Sequence, residues 1–226
     1  MNKISRLWAL VITISILALG AVVANSNSPS SAEGGCTGKA YVTNTGDGTV
    51  SVIDTATNAV VGSAIPVGSN PVGIAITPDG TKAYVTNELA DTVSVINTAT
   101  NAVVGSAIPV GDGPRGIAIA PDGTKAYVTN TGDGTVSVID TTTNAVVGSP
   151  ITVGTAPLGV AIPPDGTKAY VTNGGANNVS VIDTATGLVS TTITVSSNPF
   201  AISICPAAVV PPVTPTDPAV VLKFTG

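Results

Sequence analysis

Lys82-Ala83-Tyr84-Val85-Thr86-Asn87 is followed by Thr92-Val93-Ser94-Val95-Ile96-Asn97, and then by the stretch Ala102 to Val110, AVVGSAIPV. Ahead of them stands Pro71-Val72-Gly73-Ile74-Ala75-Ile76, joined to Lys82 through Thr77-Pro78-Asp79-Gly80-Thr81. Each run is short, rich in Val, Ile, Thr or Tyr, and bounded by turn residues, which is the pattern of a β-strand. Pro presets φ, Asp bonds its own backbone and Gly takes the position that needs φ > 0, so Pro-Asp-Gly predicts a tight hairpin. Working outward, Tyr-Val-Thr-Asn recurs at Tyr41, Tyr84, Tyr127 and Tyr170, always 43 residues apart. Pro-Asp-Gly recurs at 121–123 and 164–166. A period of about 20 to 50 residues marks a solenoid, a propeller or an array. Four antiparallel strands per unit match one blade, so the expected fold is an all-β propeller of four blades.

The composition of the 226 residues agrees and excludes several classes. Charged residues make up 9%, aromatics 3% and apolar residues 43% of the chain. Charge this low with so many apolar residues argues against a disordered tail protein. Histidine is absent, which removes Ser-His-Asp and Cys-His catalysis and imidazole metal ligation. A net charge of −5 with arginine only at Arg6 and Arg115 gives no footprint for nucleic acid.

The N-terminus reads as a targeting segment. Lys3 and Arg6 precede an apolar run from Leu7 to Ala24, interrupted by Thr13 and Ser15, and Val22-Val23-Ala24 offers small residues at a cleavage spacing. Residues 1–24 are expected to be a secretory signal peptide; an uncleaved anchor is the alternative, and with it the one route to a membrane. Residues 25–35 form a polar linker, 36–205 the propeller, and 206–226 a Pro-rich extended tail. A secreted, periplasmic or cell-surface location follows.

The repeat KAYVTN…VSVIDTATN…VVGSAIPVG…NPVGIAITPDG resembles the YVTN-repeat β-propeller family over Gly38 to Ile204. The resemblance implies that the PVGIAI-type strand is innermost and lines a central channel. Members of that family more often have about seven units, whereas four recur here. Both faces of a blade are covered by neighbours, so strands apolar on both sides are expected. The four tyrosines should fill the space between blades with their hydroxyls bonded at the edge. The repeated Lys39, Lys82, Lys125 and Lys168, and Asp54, Asp140 and Asp183, are expected to be solvated charges or turn caps.

The chain enters at the second strand of a blade and reaches Phe200-Ala201-Ile202-Ser203-Ile204, the first strand of one. The ring is therefore expected to close by pairing of the N-terminal strands with this C-terminal inner strand, leaving no open edge. In the repeat frame Cys205 aligns with Thr77 and Cys36 with Asp79, so the two flank the missing hairpin turn. A Cys36–Cys205 disulfide clasp is expected on that alignment. A monomer is the first expectation; two chains in a head-to-tail ring, or a fragment of a longer array, use the same sequence.

Positions that differ between copies lie in two loop sets around the channel mouth. Val72, Arg115, Leu158 and Phe200 follow the proline before each inner strand, and Glu88, Asp91 and Asp112 add charge. These are the binding-rim candidates. Asp47 and Asp133 lie in Thr-Gly-Asp-Gly loops that lack the spacing of a calcium loop, so turns rather than metal ligands are expected. Asn178-Val179-Ser180 is a glycosylation sequon. The inner strands GIAI, GIAI, GVAI and AISI carry no acid or base. The expectation is a non-enzymatic module, without cofactor or metal, binding a protein or surface glycan at the rim. The alternative is an enzyme of the lactonase or quinoprotein type with its site in the rim loops.

Overall fold

A computed structural model describes residues 38–205; residues 1–37, with Cys36 and the stretch expected to be a signal peptide, and residues 206–226 lie outside them. Unbroken Val/Ile/Thr runs between turns leave no helix among the described residues, only four antiparallel sheets in chain order. Blade 1 comprises β1 (Lys39–Asn44), β2 (Thr49–Asp54), β3 (Ala59–Val60) and β4 (Ile65–Pro66). Blade 2 comprises β5 (Pro71–Ile76), β6 (Lys82–Asn87), β7 (Thr92–Asn97), β8 (Ala102–Val103) and β9 (Ile108–Pro109). Blade 3 comprises β10 (Pro114–Ile119), β11 (Lys125–Asn130), β12 (Thr135–Asp140), β13 (Ala145–Val146) and β14 (Ile151–Thr152). Blade 4 comprises β15 (Pro157–Ala161), β16 (Lys168–Asn173), β17 (Asn178–Asp183) and β18 (Leu188–Thr194).

The turns follow from their residues. Gly80 takes φ +69° and its amide donates to the Thr77 carbonyl at 2.7 Å, while Asp79 Oδ1 accepts from the Thr81 amide. At the next turn Asp54 Oδ1 accepts from the amides of Ala56 and Thr57 at 2.9 and 2.8 Å, and Asn58 sits at φ +55°. Asp140 and Asp183 make the same bonds. Turn capping is therefore the role of these aspartates. Their carboxyls are held below the ordinary 3.8, first by the backbone bond from the threonine three residues on.

Alternation gives each blade a forward and a backward face. Tyr84, Val93, Val95 and Ile108 point forward and pack against Ala126, Val128 and Ile139 of blade 3. The equivalent sets join blade 1 to blade 2 and blade 3 to blade 4. Each fully buried Val or Ile contributes about 1.5–3 kcal/mol of transfer free energy. The Tyr84 hydroxyl bonds Asn144 Oδ1 at 2.6 Å and the Thr141 carbonyl at 3.2 Å, both in the next blade. Tyr41 does the same with Asn101 and Thr98, as expected for an inter-blade tyrosine. Burial, reinforced by Asp140 and Asp79, pushes the Tyr84 phenol up to about 12.

Three expectations are corrected. Lys39 and Lys82 are not simply solvated: their ammonium groups donate to the carbonyls of Thr98 and Thr141 at 3.0 and 2.6 Å, tying successive blades. The outer strand is not continuous in blades 1 to 3. Gly62, Gly105 and Gly148 adopt φ of +67°, +70° and +72°, which breaks AVVGSAIPV into two short strands that both pair with the same neighbour. Blade 4 has no glycine there and is one residue shorter, so β18 runs on unbroken.

The third correction concerns the seam. Among the described residues β1 pairs with β2 alone, and Ala201–Cys205 carries no strand. Extensive strand contacts lie within a blade or between successive blades. Val42 on the backward face of blade 1 is 44% exposed, whereas Val85 and Val128 are fully buried. Among the described residues the inner strands β5, β10 and β15 follow one another, and β1 makes no extensive contact with the strands of blade 4.

Candidate functional site

The inner strands β5, β10 and β15 stand side by side because a glycine follows the variable rim residue in each. A Cβ at Gly73 would lie 2.2 Å from the Arg115 carbonyl oxygen, and one at Gly116 would lie 2.3 Å from that of Leu158. The same carbonyls are fixed from the side by threonines of the preceding blade. Thr43 Oγ1 donates to Val72, Thr86 to Arg115, Thr129 to Leu158 and Thr172 to Phe200, at 2.8 to 3.0 Å. The Phe200–Ile202 segment thus takes the place of a fourth inner strand.

This stacking brings Val72, Arg115, Leu158 and Phe200 around one cavity of about 280 Å³, floored by Ile74, Ile117 and Val160. Four of the seven rim candidates therefore converge. Glu88 joins them from the rim loop of blade 2. Its Oε1 lies 2.7 Å from Arg115 Nε, and its Oε2 accepts from Asn70 Nδ2 at 2.6 Å. The side chains of Arg115 and Glu88 are 35% and 20% exposed, so the pair is partly shielded from water. Asn70 was not singled out by the sequence. It sits at φ +57° in an Asn-Pro that recurs at Asn198, and nothing local marks its amide as the partner of Glu88.

Asp91 and Asp112 do not line the cavity. Asp91 Oδ1 accepts from the Gly113 amide at 3.0 Å, and Asp133 Oδ2 accepts from the Asp112 amide at 2.8 Å, so Asp91 and Asp133 brace the loops. Asp112 is exposed and lies over Gly132. Among the described residues no His, Cys, Asp and Glu side chains form a cluster of three that could hold a metal ion. Asn178 opens β17, half-buried, with its Oδ1 accepting from Asn173 at 2.7 Å. Cys205 is exposed, and its expected partner Cys36 lies outside the described residues.

The lactonase seven-bladed β-propeller family model matches residues 38–193. The chain belongs to that family. Among solved structures, Kuenenia stuttgartiensis hydrazine synthase is 34% identical with a TM-score of 0.66, over 71% of this chain and 47% of that one. A functionally unknown protein from Desulfotomaculum acetoxidans DSM 771 shares the fold at 18% identity, TM-score 0.64, over 76% of this chain and 59% of its own. The chain thus spans about half the length of the solved structures it resembles. No curated protein matches.

Membership of the lactonase family overturns the expectation of a non-enzymatic module. That expectation rested on inner strands without acids or bases. The rim residues show the weakness of the argument: Glu88 reaches Arg115 from a loop 27 positions away, so ionisable groups meet at the channel mouth without standing on the strands below it.

Proposed function

We propose that the four blades hydrolyse small cyclic esters at the channel mouth, with Glu88 and Arg115 as the working pair. The observation that carries this reading is the Arg115–Glu88 pair itself, anchored by Asn70 above an apolar cavity, where the other copies present Val72, Leu158 and Phe200. Family membership supplies the reaction class. The YVTN-repeat lineage and an exported location belong to the same reading.

The lactone ring packs against Val72, Leu158 and Phe200 with its carbonyl toward Arg115. Water adds to the carbonyl carbon as Glu88 takes its proton. The tetrahedral oxyanion faces the Arg115 guanidinium, which strengthens as charge develops there. Collapse breaks the ring C–O bond, and the departing oxygen recovers the proton from Glu88. One lactone and one water give one hydroxy acid.

The test is a pH-stat screen of the purified chain against γ- and δ-lactones of varied substituents. Glu88→Gln should lower kcat by roughly 10²–10⁴-fold, as for loss of a general base. Arg115→Met should lower it by about 10²-fold or more. Absence of turnover on every lactone, or rates indifferent to both substitutions in folded protein, rejects the reading.

A further inference from the structure

The inner strands carry a bulge just below the rim. The pairing of β5 with β6 shifts register between Pro71 and Ile74, and β10 and β15 shift between Pro114 and Ile117 and between Pro157 and Val160. A bulge takes backbone groups out of the ladder, here at the level of the cavity. The threonine of each Tyr-Val-Thr-Asn takes them up instead. Thr86 Oγ1 accepts from the Gly73 amide at 2.8 Å and donates to the Arg115 carbonyl of the next blade at 2.8 Å. Thr129 joins Gly116 to Leu158, and Thr172 joins Gly159 to Phe200, in the same way. Among the described residues that line the cavity, Arg115 is then the one polar side chain, and its Nε already lies on Glu88.

The two ends of the cavity differ because one repeat position differs. The residue after Tyr-Val-Thr-Asn is Thr45, Glu88, Thr131 and Gly174 in blades 1 to 4. Thr45 and Thr131 turn their hydroxyls onto the carbonyls of Pro71 and Pro157 at 2.9 and 2.8 Å. In blade 2 the position brings a carboxylate to Arg115. In blade 4 glycine clears it, and Leu158 lies over the space, with its Cδ1 2.8 Å from where a Cβ at Gly174 would stand. Phe200 comes next, its side chain open to solvent and its carbonyl held by Thr172. The site thus has a polar end at Glu88 and Arg115 and an apolar end at Leu158 and Phe200.

We propose that this site, on the ester-hydrolysis reading given above, selects lactones whose ring carries an aliphatic or aromatic substituent, and that Leu158 and Phe200 determine that specificity. The ring carbonyl sits at Arg115 and the substituent runs across the mouth of β15 to Phe200. Covering the substituent with Leu158 and Phe200 removes apolar surface from water on both sides. A polyhydroxylated ring finds no such return. The carbonyls of Leu158 and Phe200 and the amides of Gly116 and Gly159 are already bonded to threonine hydroxyls. Each sugar hydroxyl buried there without a partner costs roughly 5- to 100-fold in affinity.

The repeat separates this role from packing. The proline before the rim residue and the glycine after it recur as Pro71 and Gly73, Pro114 and Gly116, and Pro157 and Gly159. The backbone of the rim is therefore the same in each blade, and its threonine bonds use main-chain atoms alone. What changes is the side chain between, Val72, Arg115, Leu158 and, after Pro199, Phe200. Phe200 is 63% exposed beside Leu158 at a concave mouth, apolar surface of the kind that a ligand covers.

The full chain is assayed with γ-valerolactone through γ-octalactone, an alkyl series on one ring, and with glucono-δ-lactone. kcat/KM should rise about two- to fourfold with each added methylene, and glucono-δ-lactone should rank below every alkyl member. Phe200→Ser and Leu158→Ser should flatten the series, whatever they do to its first member. The Phe200 side chain is mostly exposed, so that variant should keep its far-ultraviolet spectrum. A flat wild-type series, a preference for glucono-δ-lactone, or variants that keep the wild-type increment overturn the specificity and leave the hydrolytic reading standing. Binding is measured apart from turnover, by methyl NMR titration with 2-methyl- to 2-pentylcyclopentanone, which keep the ring carbonyl and the substituent but cannot be hydrolysed. The longer ketones should bind more tightly by a similar increment and shift the Leu158 methyl signals. If no lactone turns over and this increment remains, the hydrolytic reading falls and the apolar selectivity stands. Ketones that bind without an increment, or not at all, overturn the selectivity itself.

Discussion

A methyl group at Gly116 would stand 2.3 Å from the Leu158 carbonyl oxygen and 3.2 Å from the Gly159 Cα. Both neighbours are backbone, so no rotamer change relieves the contact, and blades 3 and 4 must part at the channel. Gly116→Ala should cost about 1–3 kcal/mol, in the range of overpacked cores. Gly46→Ala is the control, because nothing lies within 4 Å of its built Cβ and it should stay within about ±0.5 kcal/mol. Urea unfolding of the two variants checks this; equal midpoints would mean that the inner strands do not pack this closely. The sequence repeats this glycine but does not reveal that a carbonyl of the following blade sets it. The same limit applies to the site. Arg115 and Glu88 stand out as departures from their repeats, yet their pairing depends on a position in one blade meeting a position in the next. Asn70 gave no signal, since an asparagine beside a proline is ordinary turn chemistry.

Among the elements, the turn after the third strand of each unit carries its own pH dependence. Asp54, Asp140 and Asp183 accept backbone bonds that hold their carboxyls below 3.8. A folded-state pKa below the unfolded value of about 3.9 stabilises above that value, and the contribution is lost as pH falls through the lowered values. Blade 2 contains an internal control: Asn97 makes the same bonds to Ala99 and Thr100 at 3.0 Å without a titrating group. The triple variant Asp54→Asn, Asp140→Asn, Asp183→Asn should therefore keep its turns and lose less of its urea midpoint between pH 7 and pH 3 than the wild type. An identical loss would show that these turns do not titrate on unfolding. Turn chemistry was the most legible part of the fold, because Pro-Asp-Gly and Asp-Thr-Ala-Thr-Asn act within five residues. The outer strand was misread for the opposite reason. AVVGSAIPV has the composition of a strand, and only the positive φ at its glycine, set by the bulge it must make against β2, β7 or β12, divides it.

At the scale of the whole molecule, stability is a sum of blades and the interfaces between them, as in other repeat proteins. Blades 2 and 3 each have two such interfaces and the end blades one. The sequence showed the blades and their order but not this inequality, because near-identical repeats look equally supported until the greater exposure of Val42 and Tyr170 is seen in space. Among the described residues, opening of an end blade sacrifices one interface and opening of a middle blade sacrifices two. Amide exchange should therefore be graded, slowest in β6 and β11 and faster in β1 and β18, with the difference set by about one apolar cluster of seven buried side chains. Exchange that is uniform across all four blades would mean that the end blades are supported as fully as the middle ones.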